Sequence, residues 1–83
     1  MGAVVPAPAW WPEALAATRR RREYTAQLLT HATPSVDHGR LLLEFPAPDL
    51  VADWHDSRAG DALDGALEHL GRAMPNEAVS LPA

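Results

Sequence analysis

Eighty-three residues with seven arginines, no lysine, eleven acids and no cysteine carry a formal net charge of −4, which bounds the chain to one small domain with a modest core. Without cysteine, neither a disulfide framework nor a thiolate metal site can form. An acidic balance also argues against a nucleic-acid footprint spread over the whole domain, which is normally basic.

Residues 1–9 hold only Met, Gly, Ala, Val and Pro. They contain no basic segment and no apolar run long enough for a signal peptide or a membrane span. They read as a Pro/Ala-rich linker or disordered tail ahead of a single domain over residues 10–83, and a cytoplasmic address is expected. Trp10-Trp11-Pro12 opens the domain, because proline is tolerated in a first helical turn whose donor is unpaired anyway. The spacing predicts one helix from Trp11 to about Ala32, stopped by Pro34 acting on Thr33. At roughly 100° per residue, Trp11, Leu15, Thr18, Thr25 and Leu29 share a stripe, and Arg22 falls inside it. Four adjacent arginines, Arg19 to Arg22, point in four directions on a helix and cannot make one basic face.

Pro34-Ser35-Val36-Asp37 and Leu41-Leu42-Leu43-Glu44-Phe45 predict a short hairpin about the turn Asp37-His38-Gly39-Arg40. Leu41, Leu43 and Phe45 take one face at period two. Residues 48–54 predict a short helix presenting Leu50, Val51 and Trp54. A break at 57–60 precedes a second helix whose Leu63, Ala66, Leu67, Leu70 and Met74 keep to one side, with Asp61, Asp64, Glu68 and Arg72 outward. Pro75-Asn76 end it, and residues 77–81 predict a last strand with Val79 and Leu81 inward. The expected fold is thus α/β (α+β), in the order α-β-β-α-α-β, with a three-stranded sheet and helices on one face.

Motifs for chemistry are sparse. His31, His38, His55 and His69 share no metal-ligand spacing, so no metal is expected. A lysine-bearing phosphate loop is absent, and no cofactor is expected either. Asp53 and Asp56 are a carboxylate pair at a helix end, where solvation is the expected fate. The charge is uneven: residues 1–42 sum to +2 and residues 43–83 to −6. Trp10, outside the stripe and beside arginines, is a candidate interface anchor.

The order and spacing of Trp11-Pro12-Glu13-Ala14-Leu15, Arg19 to Arg22, Tyr24 to Leu29, Val36 to Pro46 and Ala66-Leu67-Glu68-His69-Leu70-Gly71 resemble the accessory domain that follows a Pro/Ala-rich linker in the gamma/tau subunit of bacterial DNA polymerase III, in its actinobacterial form. The resemblance runs from Trp11 to about Leu81. It implies a small type II KH-like domain without catalysis, serving a clamp loader as a tether for the polymerase or another replisome subunit. An RNA-binding KH domain grips the phosphate backbone with a Gly-x-x-Gly loop; here the matching junction, residues 55–61, is acidic and lacks that motif.

The expectation is therefore a non-enzymatic protein-interaction domain, with Trp10, Arg19, Arg20 and Arg21 as partner contacts. Trp11, Leu15, Arg22, Leu29, Leu41, Leu43, Phe45, Trp54, Leu63, Leu67 and Leu70 are the expected core and structural residues, with the Arg22 head reaching Glu44 or Asp53. Two alternatives stand beside it. One is a single-stranded nucleic-acid binder using the arginines and Trp10 or Tyr24, disfavoured by the acidic second half. The other is a free-standing homodimer joined through an edge strand, with accessory duty in another pathway.

Overall fold

The computed structural model describes residues 7–80; the first six residues of the expected linker and Leu81 lie outside them. Four helices and three strands follow in chain order: α1 (Trp11–Arg21), α2 (Glu23–Leu29), β1 (Thr33–Asp37), β2 (Arg40–Phe45), α3 (Pro48–Asp56), α4 (Gly60–His69) and β3 (Asn76–Ser80). The sheet order is β1-β2-β3, with β1 antiparallel and β3 parallel to β2. This is a small α+β fold in the order α-β-β-α-α-β, its first helical segment in two pieces.

The hairpin forms because His38 and Gly39 both take positive φ, 51° and 78°, the backbone that matches the twist of a two-residue connection. That turn fixes the register Asp37 opposite Arg40 through Thr33 opposite Glu44. Leu41, Leu43 and Phe45 are consequently buried on one face, and Leu42 and Glu44 lie half-buried on the other. The helices cover the first face. Trp11, Leu28, Leu29, Trp54, Leu63 and Leu67 meet the three strand residues in one cluster, with the Trp54 ring 5.8 Å from that of Phe45. Leu15 and Leu70, expected in the core, pack half-buried at its margin.

The expected single helix of residues 11–32 is two helices. Arg22 adopts φ −160°, ψ 111°, an extended residue that closes α1 by donating its N–H to the Thr18 carbonyl at 2.8 Å. Its own carbonyl then accepts from Ala26 at 3.4 Å and starts α2. Arg22 is exposed, so it is no core residue and its stripe position fails with the helix. Its head meets neither Glu44 nor Asp53: Nη1 donates to the Ser57 carbonyl at 2.6 Å, at the C-terminal end of α3, where a cation is favoured.

Helix α4 stops at His69, not at Met74. Gly71, at φ 72°, ends it with the Arg72 N–H donating to Leu67 O at 2.8 Å and the Gly71 N–H to Glu68 O at 3.1 Å, the paired bonds of a Schellman motif. Beyond it, β3 enters with Leu43 opposite Ala78. Ala78 is the buried residue there, and Val79, expected inward, sits half-buried opposite Glu44 on the other face. Among the described residues no helix is long and apolar enough to cross a membrane.

Candidate interaction surface

The arginine run divides: Arg19, Arg20 and Arg21 are successive positions at the end of α1 and point apart, and Arg22 is the extended residue that follows them. Arg19 Nε meets Glu23 Oε2 at 2.9 Å, an exposed pair bridging the break between α1 and α2 and worth little by itself. Arg22 is spent on the Ser57 carbonyl, its guanidinium 5.6 Å from the centre of the Tyr24 ring. Arg20 and Arg21 are exposed, and among the described residues neither has a carboxylate within 4.0 Å.

These two arginines border a shallow groove between the C-terminal parts of α1 and α4. One hollow of about 340 Å³ is lined by Arg21, Gly65, Glu68 and His69. A second, of about 190 Å³, is lined by Ala17, Arg20, Arg21 and His69. Arg21 and His69 belong to both, so the hollows are neighbouring parts of one surface. The Arg21 guanidinium lies against the bare backbone of Gly65: a Cβ there would stand 2.9 Å from Arg21 Nη1. Gly65 and His69 were legible only in part. A glycine inside an otherwise regular amphipathic helix marks close approach of another group, but the group that approaches comes from a helix some forty residues earlier.

Trp10 is not the exposed anchor its sequence position suggests. It is half-buried against the core, its ring edge-on to Trp11 at 6.3 Å between centroids. The Arg72 guanidinium lies 5.5 Å from its ring centre, within reach of a cation–π attraction. Arg72 is delivered there by the turn after Gly71, which no local pattern near Trp10 records.

A third hollow, about 270 Å³, lies where the α3–α4 turn overhangs β3, lined by Arg58, His55, Asp61, Asp64 and Asn76 among others. The Asn76 amide donates to Asp64 across it. Arg58 holds φ 54° in a turn fixed on both sides: Arg22 binds the Ser57 carbonyl, and the buried Thr25 hydroxyl donates to Ala59 O at 3.0 Å. The four histidines sit apart, on the turn after α2, the hairpin turn, α3 and α4, and all are exposed. His38 Nδ1 lies 2.8 Å from Asp37 Oδ1. Among the described residues no three His, Asp or Glu side chains cluster as metal ligands would. Asp53 and Asp56 are both exposed on α3.

No family model, curated protein or solved structure matches the chain.

Proposed function

We propose that this chain is a non-catalytic protein-interaction domain, of the kind that tethers replisome partners to a clamp-loader subunit. The observation that supports this reading is the state of Arg20 and Arg21. Both are held on an ordered helix, exposed, and without a carboxylate neighbour among the described residues, in a chain whose net charge is −4. Unsatisfied guanidinium groups at a fixed spacing are suited to recognising carboxylates, to which they donate in pairs. The element order is in keeping with the resemblance to the gamma/tau accessory domain.

The test is a binding measurement with purified components. The chain is titrated by calorimetry with the polymerase subunit and with the remaining clamp-loader and replisome subunits of an actinobacterium, at about 150 mM salt. Saturable binding to one of them is expected. Binding to none, together with micromolar or tighter binding of a labelled DNA single strand that weakens steeply with salt, would replace the reading by nucleic-acid recognition.

A further inference from the structure

We infer that the groove between α1 and α4 docks an acidic peptide segment of a protein partner, with its carboxylates held by Arg20 and Arg21. The inference rests on the interaction-domain reading and adds the chemistry of the ligand and its place on the surface. Three observations carry it. Arg19 and Arg40 each have a carboxylate within 3.0 Å, whereas Arg20 and Arg21 have none within 4.0 Å among the described residues. The groove is lined by Arg20, Arg21, Glu68 and His69, with two small residues among them, Ala17 from α1 and Gly65 from α4. Glycine in a helix interior is destabilising relative to alanine, and here its missing Cβ leaves the space that the Arg21 guanidinium occupies.

The charge around the groove favours a peptide over a polynucleotide. A single strand carries a phosphate at every nucleotide and gains affinity from many basic contacts. The basic patch here holds two arginines without a carboxylate partner among the described residues, while Glu68 lines the far side of the groove and Asp61 and Asp64 continue along α4, all three exposed. An extended polyanion would run onto those carboxylates. A peptide with one or two acids between apolar residues can set them on Arg20 and Arg21, on the side of the groove away from Glu68, with an apolar group over Ala17.

The probe is a short fluorescein-labelled peptide rich in Glu and Leu, followed by anisotropy, with its Lys-for-Glu counterpart and a short oligothymidine strand as comparisons. The wild-type chain should bind the acidic peptide, and the double variant Arg20→Ala, Arg21→Ala should weaken binding about tenfold. Arg40→Ala, a charge loss outside the groove, should leave it unchanged. Gly65→Ala keeps the net charge but displaces the Arg21 head, and should weaken binding severalfold. Equal losses from Arg40→Ala and the groove arginines, or indifference to Gly65→Ala, would mean diffuse charge attraction and overturn the site. Tighter binding of oligothymidine than of the peptide overturns it in favour of nucleic acid. Concentration-dependent dimerisation by sedimentation, abolished by the arginine variants, overturns it in favour of a second copy of this chain. If the peptide fails while a replisome subunit still binds the chain, the groove is wrong and the interaction-domain reading stands; if both fail, both fall.

Discussion

Helix α4 and the α1–α2 pair cover the same sheet face by opposite means. The buried side of α4 is wholly aliphatic, Leu63, Ala66 and Leu67, and the helix runs unbroken to a glycine stop. The buried side of α1–α2 includes two threonines that are completely enclosed. Thr18 donates back to Ala14 O at 2.7 Å within its own helix, and Thr25 reaches Ala59 O at 3.0 Å across to the α3–α4 turn. An aliphatic stripe tolerates swaps that conserve its volume and loses most when volume is removed. A buried hydroxyl accepts only geometries that give it a partner, and the break at Arg22 is one such geometry.

If that contrast is correct, the largest single loss belongs to α4. Leu67→Ala, which opens a cavity at a fully buried position, should cost about 2 to 4 kcal/mol in a urea titration, enough to unfold a domain of this size. An unchanged midpoint would mean that α4 does not carry the core. Thr25→Val keeps the shape and removes the donor. Ala59 O retains the Ala62 N–H at 3.3 Å, so the expected loss is about 1 to 2 kcal/mol, and a neutral result would show that the hydroxyl does not fix the turn.

Arg22→Ala sharpens the comparison further. It removes an exposed side chain that bridges α2 to the end of α3, and should cost at most about 1 kcal/mol; amide exchange at Arg58 and Ala59 should nevertheless quicken, because one of the two clasps on that turn is gone. A loss as large as that of Leu67→Ala would place Arg22 in the core after all. Gly65→Ala should be the mildest change and of opposite sign. The helix gains about 0.5 to 1 kcal/mol from the better helix former, and the obstacle to the new methyl is the mobile end of Arg21, so a raised melting temperature is expected. A lowered one would mean that the Arg21 head cannot leave.

The regions that were legible in the sequence are those whose determinants are local. Gly39 and the alternation of Leu41, Leu43 and Phe45 specified the hairpin and its face, and the stripe of Leu63 and Leu67 specified α4. The features that were not legible depend on partners distant in sequence. Nothing between Thr18 and Thr25 signals a break, since arginine is a good helix former and neither glycine nor proline intervenes; the partners that Arg22 and Thr25 reach from the broken helix, the Ser57 and Ala59 carbonyls, lie far along the chain. Trp10 reads as free until Arg72 is placed beside it. Which residue of β3 faces inward depends on its register against β2, and a slip of one residue exchanges Ala78 for Val79. The end of α4 is different, because Gly71 announces it and Pro75 is only the more conspicuous stop. In the interaction surface, Arg20 and Arg21 were visible as residues, but Gly65 and His69 joined them only through the packing of α1 on α4.

Because β3 runs parallel to β2, it cannot be reached by a hairpin and must wait for the α3–α4 crossover. The β1–β2 partners are near neighbours along the chain, whereas Leu41 and Asn76 are brought together across two helices, with the larger loop-closure entropy that such a pairing carries. The topology predicts an order of folding in which the hairpin and the helical layer assemble first and β3 joins the open side of β2 at the end. On that order Ala78→Gly should speed unfolding while leaving the refolding rate nearly constant. Stopped-flow kinetics in urea would show the change in the unfolding limb alone, and the lifetime of the native state would be set by its last strand.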